Sequence, residues 1–194
     1  MTTTLVLASN NEGKLAEFRT LLLPLGWNVR PQSDFAVPEA DEPHHTFVEN
    51  ALEKARHAAR LTGHAALADD SGVCVNAFGG RPGVHSARFA GEPKSDARNN
   101  AKLLADLAGH PDKSAYYYCV LVFVRHADDP QPVIADGCWR GSIVDAPRGT
   151  GGFGYDPYFL VDGLNRTAAE LKPAEKNNHS HRGQALSSLI NKLR

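Results

Sequence analysis

Charge of one sign, long apolar runs and cysteine are all scarce in this chain. Its 194 residues include 21 Lys and Arg against 22 Asp and Glu, a balance of −1. Near-neutrality removes the strong attraction that drives non-specific binding to nucleic acid or acidic membranes. No segment approaches the roughly 18–20 apolar residues of a membrane span. The longest apolar stretch, Ala115 to Val124, reads instead as a buried strand. Cys74, Cys119 and Cys138 are odd in number, far apart and without CxxC spacing, which predicts buried thiols in a reducing compartment. The N-terminal MTTTLVLASNN has neither a basic n-region nor a small-residue cleavage site, so no export signal is expected. Internal repeats, low-complexity tracts and linker-like segments are also missing. The expectation is a cytoplasmic globular protein, with a length suited to one domain over residues 1–194 or two lobes sharing a core.

What is present is an alternation of strands and helices. Thr4 to Ser9 is a β-branched and aliphatic run that ends at Asn10-Asn11. Beyond Lys14 the apolar period changes: Leu15, Phe18, Leu21/Leu22 and Leu25 recur every three to four residues before Gly26, predicting a helix. Thr46 to Glu49 has capping-box spacing and opens a second helix running to Gly63. Ala65 to Ala68 reads as a buried strand ending in Asp69-Asp70-Ser71-Gly72, Val73 to Phe78 looks extended, and Gly79 to Gly83 is loop. Ser95 or Asp96 starts a third helix that stops at Gly109. Ala115 to His126 is too continuously apolar for an edge strand. Val133 to Ile143 continues as extended chain, Tyr158 to Val161 is a short strand, and a last amphipathic helix includes Ala185, Leu186, Leu189, Ile190 and Leu193. This order predicts an α/β fold with a mixed, partly antiparallel twisted sheet flanked by helices.

Five segments carry candidate chemistry. Ser9-Asn10-Asn11-Glu12-Gly13-Lys14, between strand and helix, offers helix-start amides, short polar side chains and one lysine, the parts of a phosphate cradle. It lacks Walker A spacing, and plain helix capping explains it equally well. Asp69-Asp70 at a strand end suits Mg²⁺, which takes a few carboxylates plus water and phosphate oxygens. An Asx-turn from Asp70 to the Gly72 amide competes evenly with that reading. Glu39, Asp41 and Glu42 offer a second metal ligand, or a simple complement to the helix start after them. Gly149 to Asp156 combines glycines that permit close backbone approach with the flat faces of Phe153 and Tyr155 and the acceptors of Asp156. Residues 163–194 hold six basic side chains against two acids. Lys176, His179, His181 and Arg182 cluster there as a donor-rich wall or a solvated helix start.

Together these are the parts of a nucleotide site, and the sequence resembles the inosine triphosphate pyrophosphatase (HAM1-like) family. The resemblance rests on SNNEGKLAEF, TFVENALEKARHAA, ALADDSGVCVNAFGGRPGVHSARFAG, GTGGFGYDPYF and TAAELKPAEKNNHSHRGQAL, collinear from Ser9 to Leu186. It implies two lobes around a central cleft and hydrolysis of the deaminated purine triphosphates ITP, dITP and XTP to monophosphate and pyrophosphate. It also implies Mg²⁺ as cofactor, an alkaline optimum and a homodimer. Carried over by position, the triphosphate loop falls on Ser9 to Lys14 and the catalytic, metal-binding acid on Asp70, with Ser71 a substrate contact. The substrate loop falls on Phe153, Gly154, Tyr155 and Asp156, and base recognition on Lys176, His181 and Arg182. Glu42, or Asp41, matches the second acid. One departure is Asn10, where many relatives have glycine.

Two other readings remain at this level. One is a Maf-like pyrophosphatase acting on other modified triphosphates. The other is a nucleotide-binding module without catalysis, against which Asp70, Lys14 and the lack of an extended basic face all argue.

Overall fold

The computed structural model describes residues 3–22 and 26–194. Its sheet has six strands: β1 (Thr3–Leu7), β2 (Trp27–Pro31), β3 (Ala65–Val75), β4 (Ser114–Val124), β5 (Val133–Ile143) and β6 (Phe159–Val161). Their order is β2-β1-β3-β4-β5-β6. β1 runs parallel to both β2 and β3, with Leu5 opposite Val29 and Ala65. β6 is antiparallel to β5, with Ser142 opposite Leu160. The sheet is therefore mixed, as its sequence pattern predicts. The apolar stretch in β4 lies inside the sheet order, not at an edge. Its second half, Cys119 to Val124, is buried at every position, which is why no alternation shows there.

The helices are α1 (Glu12–Leu22), α2 (Phe47–Thr62), α3 (Asp96–Leu107), α4 (Pro173–His179) and α5 (His181–Leu193). α1 buries Leu15, Phe18 and Leu22; Leu25, placed on this helix by its period, lies outside the described residues. α2 is the clearest case of sequence dictating bounds. The Thr46 hydroxyl accepts from the Glu49 amide at 3.3 Å, and Gly63, at φ 69°, closes the other end by donating to the Ala59 carbonyl. Small residues Ala51, Ala55, Ala58 and Ala59 line its buried face.

The chain forms two compact units. The first comprises residues 1–70, 120–136 and 185–194, and its core includes Leu5, Leu7, Leu15, Phe18, Leu67 and Leu186. The second comprises residues 71–119 and 137–184, built on Val73, Leu103, Tyr117, Trp139, Tyr155 and Phe159. β3, β4 and β5 each contribute residues to both units.

One boundary departs from the sequence reading. β3 does not end at Asp69-Asp70; it continues through Ser71 and Gly72 to Val75. Two contacts account for this. The Ser86 hydroxyl accepts from the Val73 amide at 2.9 Å. Gly72 lets the Gly83 carbonyl approach where a Cβ would collide with it. The Asx-turn alternative fails because the Asp70 carboxylate faces helix side chains instead. Cys74 and Cys119 are buried and Cys138 is half-buried. Burial pushes the Cys74 thiol up to about 11, so it stays protonated and unreactive at neutral pH.

Candidate active site

In the first unit, α1 begins at Glu12, so the polar connection is only Ser9-Asn10-Asn11 and Lys14 already lies in the first helical turn. Asn11 Oδ1 accepts from the Lys14 amide at 3.0 Å, and Ser9 Oγ accepts from the Asn11 amide at 3.2 Å. Both side chains therefore shape and cap the helix start, while Asn10 to Gly13 remain exposed to solvent.

β3 presents its two acids to different helices, as alternation along a strand requires. Asp69, fully buried at its side chain, pairs with Lys14 of α1 at 2.9 Å. Asp70 accepts from Lys54 Nζ of α2 at 3.3 Å and from Asn50 Nδ2 at 3.3 Å. Lys54 also donates to Glu42 at 2.7 Å. Of the three acids in the preceding loop, Glu42 turns inward while Glu39 and Asp41 are exposed. Asn50 further accepts from the His44 amide and donates to the His44 carbonyl, pinning the acidic loop beside the strand.

The electrostatics of this array are tense. Burial pushes the Asp70 carboxyl above the usual aspartate value; Lys54 opposes that, while Glu42 and Asp69 reinforce it. Burial works against the charge on Lys54, yet Asp70, Asp69 and Glu42 together outweigh it and hold the ammonium above its ordinary value. Two carboxylates thus converge on a single monocation. No cluster of three or more His, Cys, Asp or Glu ligands forms among the described residues. Glu42 and Asp70 offer two carboxylate donors, the type a hard cation takes alongside water and phosphate oxygens, and both are engaged with Lys54.

In the second unit, Ser71 follows Asp70 directly along β3, and its hydroxyl accepts from Arg182 Nη2 at 3.3 Å. Asp156 is buried, and its carboxylate is committed within the protein. Oδ1 accepts from the Tyr117 hydroxyl at 3.1 Å, and Oδ2 accepts from Lys176 Nζ at 2.6 Å and from the Phe153 amide at 2.9 Å. Burial first, and then the Asp156 charge, hold the Tyr117 phenol well above its ordinary value. His181 stacks on the Tyr117 ring, 4.8 Å between centroids and 8° from parallel. Within the basic C-terminal cluster His181 and Arg182 are buried and Lys176 is half-buried, whereas His179 is exposed to solvent.

Phe153 is the exception. It is 46% exposed, with Lys176 Nζ 5.3 Å from its ring centroid. Part of the glycine cluster has a packing reason: a side chain at Gly149 would meet the Ala169 backbone, and the Gly151 amide donates to the Ala169 carbonyl at 3.0 Å.

The structure thus groups Lys14, Glu42 and Asp70 in one unit with the Ser9–Gly13 segment. It groups Ser71, Phe153, Gly154, Tyr155, Asp156, Lys176, His181 and Arg182 in the other. Lys54, Asn50 and Tyr117 escaped sequence reasoning. The first two lie four residues apart on α2, a spacing that puts an amide and an ammonium on one helix face. That pattern alone could have flagged them. Tyr117 gave no signal, since an aromatic residue in a buried strand is ordinary.

A buried acid–lysine array at a helix start and an exposed aromatic on a glycine-bordered loop define an α/β protein equipped for nucleotides. The chain belongs to the Ham1 family, whose model matches residues 5–192. It is 66% identical to a dITP/XTP pyrophosphatase of Ralstonia nicotianae, over 98% of this chain and 96% of that protein. Identity with the dITP/XTP pyrophosphatase of Chromobacterium violaceum is 67%, again over 98% and 96%. Among solved structures, a HAM1 protein from Coxiella burnetii superposes with a TM-score of 0.93 at 50% identity, covering 98% of each chain.

Proposed function

We propose that this protein hydrolyses deaminated purine nucleoside triphosphates, dITP, XTP and ITP, to the monophosphate and pyrophosphate, clearing them from the nucleotide pool. The observation that carries this reading is the convergence of Glu42 and Asp70 on Lys54, beside the Lys14–Asp69 pair, in a chain of the Ham1 family. Nothing in the comparisons favours a Maf-like activity.

In this reading the triphosphate tail is taken by the first unit. Lys14 and the α1 amides hold phosphate oxygens and stabilise the departing pyrophosphate. Asp70 and Glu42 would hold Mg²⁺, which when bound offsets the negative charge that develops on the phosphate oxygens. Water attacks the α-phosphorus, its oxygen forms the new P–O bond, and the α–β bridging oxygen leaves with pyrophosphate. Asp70 orients that water and accepts its proton.

The second unit takes the base. Phe153 stacks on the purine, and Lys176, His181 and Arg182 supply donors. Hypoxanthine and xanthine present an O6 acceptor where adenine presents an amino donor, so a desolvated donor there rejects adenine. Guanine keeps O6 but adds a 2-amino group that a second donor leaves unpaired.

We also assign the protein to the cytoplasm, in keeping with its few, widely spaced cysteines, and to a homodimer, in keeping with the family resemblance. Light scattering tests the dimer. A panel of dITP, XTP, ITP, GTP, ATP, UTP and dTTP with Mg²⁺, scored for pyrophosphate against single-phosphate release, tests the activity. Pyrophosphate from the first three is expected; orthophosphate, or preference for UTP and dTTP, would overturn the reading.

A further inference from the structure

The loop that carries Phe153 is exposed at its aromatic ring yet tied by its backbone at Gly151, Phe153 and Gly154, and part of the tie comes from α3, which lies outside every motif assigned above. Asp96, in the first turn of α3, accepts from the Gly154 amide at 2.7 Å. One helical turn on, Asn100 Nδ2 donates to the Gly154 carbonyl at 2.9 Å. The spacing i, i+4 puts both side chains on one helix face, so they grip the amide and the carbonyl of the same residue. Gly154 itself has φ +62°, a backbone conformation that L side chains rarely adopt.

The grip flanks the two rings. Phe153 precedes Gly154, and its own amide is held by Asp156. Tyr155 follows, buried, with its hydroxyl donating to the Ser86 carbonyl at 2.7 Å. Asn100 is buried, and its Oδ1 has no hydrogen-bond partner among the described residues. An amide buried with one end unsatisfied is costly. What offsets that cost here is the bond its other end makes to the loop. Stability alone does not ask for a buried amide and a carboxylate aimed at one exposed-loop peptide. Fixing the pose of a stacking ring before the base arrives does, because a ring already in place loses less freedom on binding.

We propose that Asp96 and Asn100 are positioning residues for substrate: α3 clamps Gly154 so that Phe153 stands ready for the purine. The inference deepens the proposed function and rests on it. Being a pre-organising device, the clamp acts on binding and leaves the hydrolytic step alone.

The test is Asp96→Ala with Asp96→Asn as its control, since the asparagine Oδ1 still accepts from the Gly154 amide. Steady-state kinetics on dITP and a thermal melt are measured for both and for the wild type. Loss of one charge-assisted bond predicts a KM for dITP raised about tenfold in Asp96→Ala, with kcat within about twofold of wild type. Asp96→Asn should recover most of the KM, and the melting temperature should hold across the set. An unchanged KM, or kcat and melting temperature falling together without recovery in Asp96→Asn, would overturn the inference. Wild-type protein inactive on dITP and XTP would overturn the functional reading and this inference with it, a result seen without any variant.

Discussion

The two units handle their polar groups in opposite ways. In the first, charge is concentrated: two lysines face three carboxylates, with Asp69 and Asp70 side by side on β3. In the second, the buried carboxylate of Asp156 is spread over three donors and serves to hold a loop, and the group left exposed is an uncharged ring. A site that must stabilise a phosphate reaction keeps electrostatic tension available. The base site of the proposed function relaxes Asp156 internally and presents the Phe153 ring beside the donors of Lys176, His181 and Arg182. The comparison predicts that damage to the first unit is read in kcat and damage to the second in KM.

The largest expected effect is Asp70→Asn. On the roles proposed for Asp70, orienting water and holding metal, its loss should lower kcat by about 10²–10⁴-fold. Because the folded Asp70 carboxyl lies above its unfolded value, the ionised form costs stability at neutral pH, and that cost is relieved as pH falls through the folded value. The neutral isostere should therefore keep or raise the melting temperature. A large loss of stability would show that Asp70 serves the fold instead.

Lys54→Met comes next. It leaves buried carboxylates without their shared cation, a loss of about 3–5 kcal/mol for a broken buried pair. Since Lys54 is held above its ordinary value, its contribution is present at neutral pH and fades as pH rises through its folded value. Denaturant melts at pH 7 and above pH 10 should show the gap between wild type and Lys54→Met narrowing.

Phe153→Ala removes one stacking face, worth about 1–3 kcal/mol per base, and should raise KM by roughly 5–150-fold with kcat nearly kept. The smallest effect concerns titration. In metal-free protein the Asp70 carboxyl, followed by NMR, should titrate above the ordinary aspartate value and move higher still in Lys54→Met, since the ammonium now holds it down. A downward move would reverse the sign of the electrostatic account.

Sequence periodicity was enough to place most elements because caps and alternation are local. Thr46 and Gly63 bound α2, and the alternation of β5 shows one face turned inward. The sequence reading ends β3 at Asp69-Asp70 because acidic residues are uncommon inside strands, and the partners that keep these two inside one, Lys14 and Lys54, come from helices distant in sequence. In the same way Asp70 was legible as an acid beside apolar chain, whereas its raised carboxyl depends on burial beside Glu42 and Asp69. The clamp on Gly154 was invisible, because no local pattern links residues 96 and 100 to a loop more than fifty positions later.

The most direct measurement is steady-state kinetics on XTP for Asp70→Asn and Phe153→Ala in parallel. Turnover should collapse in the first at near-normal KM, and KM should rise in the second at near-normal kcat. Equal losses of kcat in both variants would contradict a division of labour between a hydrolytic unit and a stacking platform for the base.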